Sequence, residues 1–152
     1  MSRKSKGINA ERELIHLFHS KEGWGAIRAA GSGSMKYPCA DILASNSKRY
    51  IALECKSSKE DKKYIDKEDI DELFVFSKKF GAEPWIGVRF TNTQWFFILA
   101  DKLKSEGKCV VISKQDIEHK GVTFEKLIGE SSYIVIPNDR VAPGETFKNW
   151  NV

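Results

Sequence analysis

The chain has 152 residues, 41% hydrophobic and 30% charged, with 25 Lys and Arg against 21 Asp and Glu for a net charge of +4. That length suits one domain able to bury about two-thirds of its unfolded surface, and the composition excludes a disordered or collagen-like chain. The longest apolar run, Trp95 to Ala100, falls far short of the ~18 residues that span a bilayer. The basic start, Met1 to Gly7, has no apolar segment of the kind a secretory signal needs, so a soluble, cytosolic chain is expected.

In chain order, residues 8–22 read as a helix whose stripe is Leu14, Leu17 and Phe18, with Ile15 beside it and Gly23 as its stop. Residues 25–30 read as a short strand, followed by the loop Gly31-Ser32-Gly33-Ser34. Strands are expected over 39–46 and 50–58, joined as a hairpin through Asn46-Ser47-Lys48-Arg49. Lys59 to Lys63 reads as a charged connector, and 67–80 as a second helix ending at Gly81. Two apolar strands, 84–90 and 94–100, follow across Thr91-Asn92-Thr93. A short helix near 101–106, a strand over 108–112, a helix near 123–128 and an irregular tail from Pro137 complete the order. This predicts one α/β domain over 1–152, a central mixed sheet flanked by helices.

Cys39, Cys55 and Cys109 form no CxxC pair and read as small buried hydrophobes in a reducing compartment. His16, His19 and His119 suit surface or interface positions, since nothing else in the chain suggests a zinc site. Charge is segregated. Residues 1–63 hold 13 basic and 7 acidic side chains; residues 64–152 hold 12 and 14. All the excess positive charge, including Arg3, Lys4, Lys6, Arg28 and Lys36, therefore sits in the first part. A polyanion-binding face has this pattern, and so does an unevenly charged solvated surface.

Strand alternation over 50–57 turns Ile51, Leu53 and Cys55 one way and Tyr50, Ala52, Glu54 and Lys56 the other. On the partner strand, Asp41 shares a face with Leu43, opposite Ala40, Ile42 and Ala44. Hairpin pairing then brings Asp41 close to Glu54. Two adjacent carboxylates repel each other, and hard oxygen ligands of this kind suit Mg²⁺. Such an ion can activate water at a phosphodiester, and Lys56 can orient that water or stabilise developing charge. An ion pair on a solvated strand face would use the same Glu54 and Lys56. Glu11 lies three residues before Leu14 and seven before Phe18, on the apolar stripe of the first helix. It suits either a third ligand to the same cation or an acid placed by the helix dipole. Arg12 points away from the stripe, where it could reach phosphate.

Four segments together resemble the archaeal Holliday junction resolvase family (Hjc type): Lys6 to Ile15, Arg28 to Ser34, Asp41-Ile42 and Glu54-Cys55-Lys56-Ser57. Phe76-Ser77-Lys78-Lys79-Phe80-Gly81 on the second helix agrees with it. The resemblance covers roughly residues 3–130 and implies a restriction-endonuclease-like fold, a homodimer, and Mg²⁺ or Mn²⁺ as cofactor. By position it implies that Glu11, Asp41, Glu54 and the Cys55 backbone carbonyl form the metal site and that Lys56 is the catalytic lysine. Ser32 matches a serine that supports cleavage, Arg12 and Arg28 match arginines of DNA binding and catalysis, and Phe76 and Phe80 match interface aromatics. Many members have Pro directly before the Asp, where this chain has Ala40. Residues 131–152 match nothing in the family pattern.

The implied function is resolution of four-way DNA junctions by paired cuts that leave 5′-phosphate and 3′-hydroxyl ends, in recombination and repair. It would act at the nucleoid, with recombination or replication proteins as further partners. A nuclease of the same fold acting on other branched or duplex DNA is the alternative. A non-catalytic DNA-binding module is opposed by the complete set of Glu11, Asp41, Glu54 and Lys56.

Overall fold

Ala10, Leu14 and Phe18 recur every four residues, so a helix puts all three on one buried face. In the computed structural model, which describes residues 3–29, 36–103 and 107–129, that helix is α1, Arg3–His19. It begins five residues earlier than the apolar spacing predicts and ends three earlier. Gly23 then takes a left-handed conformation (φ 77°) that turns the chain into β1, Gly25–Arg28.

β2, Ile42–Ser45, and β3, Tyr50–Ser58, form the expected hairpin. Asn46 makes the turn because its Oδ1 accepts from the Lys48 and Arg49 amides at 3.1 and 2.7 Å. The predicted strand over 39–46 is shorter in fact. Asp41 precedes β2, although its amide still donates to the Leu53 carbonyl at 2.9 Å. Alternation fails at this point, and Ala40 packs on the same side of the sheet as Leu43.

The charged segment read as a connector includes a strand, β4, Lys62–Asp66. Its lysines hide the strand from a hydrophobicity pattern. It leads into α2, Lys67–Phe80, which ends as predicted at Gly81, here a left-handed C-cap (φ 73°). β5, Glu83–Phe90, lies beside β3 and parallel to it. Its near-continuous burial is that of a strand covered on both faces.

β6, Phe96–Leu99, is followed by a 3-10 turn, Ala100–Lys102, at the start of the helix expected near 101–106, of which 104–106 lie outside the described residues. Then come β7, Cys109–Ser113, α3, Lys114–Lys120, β8, Val122–Thr123, and α4, Phe124–Ile128. The sequence pattern misses α3. Its start is set by polar groups instead: Ser113 and Asp116 cap each other reciprocally. Those hydrogen bonds hold the Asp116 carboxyl down at about 2.

The main sheet runs β1-β2-β3-β5-β6-β8, with β3–β5 its parallel pair, and β4 and β7 form a separate antiparallel ribbon. One face is covered by α1 and α4, where Leu14 and Phe18 meet Ile42, Leu53, Phe97 and Phe124. The other is covered by α2, α3 and the ribbon, where Ile70 and Leu73 meet Ile86, Ile98, Ile112 and Ile117. Gly87 has no side chain where a Cβ would come within 3.3 Å of the Phe97 ring, so the first core closes directly over β5. Arg49 ties the hairpin to β5 by an ion pair and to the C-terminal end of α4 by hydrogen bonds. Arg49 binds both oxygens of Glu83 at 2.8 Å and donates to the Leu127 and Gly129 carbonyls.

No helix among the described residues is long and apolar enough to cross a membrane. None of the three cysteines is in a disulfide. The expectation that they are buried fails for Cys109, which is exposed on β7, while Cys39 and Cys55 are half-buried. His16 and His19 stand at the surface, as expected, and His19 Nε2 lies 2.9 Å from the Ala26 carbonyl.

Candidate active site

The predicted sorting of β3 holds. Ile51, Leu53 and Cys55 face α1, and Ala52 faces α2. Glu54 and Lys56 share the α2 face, and Lys56 Nζ donates to Glu54 Oε1 at 2.8 Å. Asp41 stands at the end of the neighbouring strand, and its Oδ2 accepts from the Cys55 amide at 2.8 Å. Asp41, Glu54, Cys55 and Lys56 are thus brought to one end of the β2–β3 pair, as the hairpin reading requires.

The electrostatics of this cluster follow from its burial. Glu54 is pushed up to about 7, first by burial and then by the Asp41 carboxylate, against the pull of Lys56. For Lys56, burial lowers the pKa, but Glu54 and Asp69 outweigh it and the net direction is up. Lys56 is therefore an ammonium throughout the neutral range, a charged donor and not a base. The Cys55 thiol is raised well above its usual value by burial first, then by Asp41, Glu54 and Glu11. It is an inert packing group.

The second partner of Lys56 is a residue the sequence reading missed. Asp69 Oδ2, in the first turn of α2, lies 2.6 Å from Lys56 Nζ. Asp69 reads in sequence as an ordinary acid at a helix start, and nothing local links it to a lysine 13 residues earlier.

Glu11 sits on α1, on the face of the sheet toward which Cys55 points, and its carboxylate is ion-paired with Arg28 Nε. Its charge bears on the Cys55 thiol together with those of Asp41 and Glu54, while Glu54 itself answers to Asp41, Lys56 and Asp69. Among the described residues no three or more His, Cys, Asp and Glu side chains are gathered as a ligand set. The donor chemistry still suits a hard divalent cation. Burial first and then the Asp41 carboxylate raise Glu54, and a bound cation would offset both by favouring the ionised form.

Of the remaining predicted residues, Arg12 and Lys36 are exposed. Ser32 and the side chains of Arg3, Lys4 and Lys6 lie outside the described residues, as does the segment 131–152. A groove of about 1000 Å³ opens beside Cys55 and Lys56, between α1 and the ends of β3 and β5. Asn9, Lys59, Lys63, Arg89 and Asn92 line it. The Arg89 guanidinium lies over the Trp95 ring at 4.8 Å and pairs with Glu13 at 2.5 Å. On α2, Phe76 and Phe80 stack with centroids 5.3 Å apart. Phe76 packs partly on the second core, whereas Phe80 is 52% exposed.

Comparison with known proteins gives the family and the fold type. Residues 2–135 match the family model described as archaeal Holliday junction resolvase (Hjc). The crossover junction endodeoxyribonuclease Hjc of Archaeoglobus fulgidus is 38% identical over 135 residues, covering 84% of this chain and 98% of that protein. The enzyme of the same name from Methanocaldococcus jannaschii is 37% identical over 131 residues, 86% of this chain and 92% of that one. The solved structure of A. fulgidus Hjc, a Holliday junction resolvase, superposes with a TM-score of 0.72 at 31% identity, over 78% of this chain and 95% of that one. The mixed sheet with helices on both faces is accordingly of the restriction-endonuclease-like type. By fold, by the Asp41-Glu54-Lys56 cluster and by similarity along most of its length, the chain belongs to the archaeal Holliday junction resolvase (Hjc) family.

Proposed function

We propose that this chain is a metal-dependent endonuclease that resolves four-way DNA junctions. The observation that carries the reading is the convergence of Asp41, Glu54 and Lys56 at one strand end. Asp41, Glu54 and the Cys55 carbonyl would hold a Mg²⁺ or Mn²⁺ ion, with Glu11 as a further carboxylate from the α1 side of Cys55, where it pairs with Arg28. When bound, the ion supplies charge neutralisation and activation of water.

Hydrolysis joins the water oxygen to phosphorus and breaks the bond to O3′, which takes up a proton; 5′-phosphate and 3′-hydroxyl ends result. Lys56, held as an ammonium, donates to the phosphate oxygens as negative charge builds. Asp41, anchored on the Cys55 amide, keeps its carboxylate fixed beside Glu54. The groove with Lys59, Lys63 and Arg89 offers the DNA backbone a polar path away from the site.

Two symmetric cuts need two sites at a fixed separation, which an isologous homodimer supplies. We place its interface on α2, at Phe76 and Phe80, and its place of action in the cytoplasm at the nucleoid.

The reading is tested by cleavage of a four-way junction and of a linear duplex of equal length, with and without Mg²⁺. The junction should be cut only with Mg²⁺, and the duplex should be spared. Asp41→Asn should abolish cutting while junction binding stays intact or tightens, because a negative charge near phosphate is gone. Equal cutting of duplex would reject junction selectivity, and parental cutting by Asp41→Asn would reject the site.

A further inference from the structure

Lys56 is the residue at which β3 and α2 meet. It stands on β3, donates to Glu54 of the same strand at 2.8 Å, and donates to Asp69 of α2 at 2.6 Å. The side chain of Lys56 is 19% exposed, that of Glu54 14% and that of Asp69 38%. An ammonium has three N–H donors. Glu54 and Asp69 take two of them, which leaves one for a ligand. A lysine carries its charge on a flexible four-carbon stem, so one partner alone does not fix where that third donor lies. Two partners on different elements do.

We propose that Asp69 is a positioning residue for Lys56: it draws the ammonium toward α2 so that the lysine meets the reacting phosphate from one fixed place. The proposal rests on the reading of Lys56 as the catalytic lysine. A helix start would by itself account for an acid at this position, because the first turn favours negative charge. That explanation gives Asp69 a share in the stability of α2 and none in the rate of cleavage, and the two roles are separable by experiment. The contact also makes α2 a catalytic support: the helix that carries Phe76 and Phe80 at its far end holds Lys56 at its beginning.

The test uses the full-length chain and the variants Asp69→Ala, Asp69→Asn and Lys56→Ala. With Mg²⁺ and a four-way junction, Asp69→Ala should lower kcat about 10- to 100-fold, the usual loss when a partner that orients a functional side chain is removed. KM and junction affinity should stay within about twofold on the same reasoning, since Asp69 carries no phosphate contact. Asp69→Asn keeps an oxygen acceptor at the same reach and should recover part of the loss.

An independent readout is the side-chain NMR signal of Lys56 in metal-free protein labelled with ¹⁵N-lysine. It is assigned by its absence in Lys56→Ala. It should exchange slowly in the parent and broaden or vanish in Asp69→Ala, at a melting temperature close to parental. An unchanged Lys56 signal in Asp69→Ala, or a kcat within about threefold of parent, overturns the proposal. So does an equal loss in both Asp69 variants that tracks a lowered melting temperature, which would mean a purely structural role. Parental cutting by Lys56→Ala also overturns it, and locates the failure in the reading of Lys56 and not in the contact.

Discussion

Burial and the Asp41 carboxylate hold Glu54 near 7, against 4.5 for the free side chain. The native state therefore binds more protons than the unfolded chain between about pH 4.5 and 7, and stability falls as pH rises through that window. The contribution is complete below 4.5 and lost above 7. At about 1.4 kcal/mol per pKa unit, its size is at most roughly 3 kcal/mol. Melting in EDTA from pH 4.5 to 8 should show the decline in the parent, and Glu54→Gln should flatten it. Asp41→Asn should shrink it, because the like charge that raises Glu54 is gone. A parental slope in Glu54→Gln would place the titrating group elsewhere. Added Mg²⁺ should reverse the effect in the parent, since a bound cation favours the ionised form that the bare site disfavours.

At the scale of elements, α2 has three jobs. Ile70, Leu73 and Ser77 are buried under the sheet, Asp69 reaches Lys56, and Phe80 stands out in solvent. A ring so exposed adds little to the stability of its own chain, so Phe80→Ala should cost less than about 0.5 kcal/mol in melting experiments. Truncating Phe76 as well should cost more, roughly 2 kcal/mol, because that ring rests partly on the second core. Sedimentation should show a weaker dimer for Phe80→Ala and a folded monomer for the double variant, with circular dichroism reporting the fold. A folded dimer of undiminished affinity in the double variant would move the interface away from α2. Loss of the dimer should reduce paired cutting more than metal affinity, since every proposed ligand lies within one chain.

Across the whole molecule the excess positive charge belongs to residues 1–63. The described part of this segment places Arg12 and Lys36 in solvent and Lys59 and Lys63 beside the groove. Junction affinity should fall steeply with salt, at about 0.9 in log–log slope for each phosphate contact. Removing Arg3, Lys4 and Lys6 together should flatten the slope by up to about 2.7 on that scale. A slope unchanged by the triple substitution, measured by titration between 50 and 200 mM salt, would mean that this segment does not touch DNA.

What the sequence determined by itself was whatever a local pattern encodes. The period of Leu14 and Phe18 marks α1, the Asn46–Arg49 turn fixes the hairpin, that hairpin's register brings Asp41 to Glu54, and strand alternation sets Glu54 beside Lys56. Tertiary structure alone decided which face each neighbour occupies. Glu11 shares a helical stripe with core residues, but only the packing of α1 beside β1 brings its carboxylate to Arg28. Asp69 comes to Lys56 only because the chain passes through β4 and returns as α2 over the same face of β3. The strand β4 escaped detection because its pairing with β7 rests on backbone hydrogen bonds, to which its lysines give no clue. Arg49 and Glu83, 34 residues apart, find each other because β3 and β5 are adjacent and parallel, a pairing set by long-range packing and written in no local spacing.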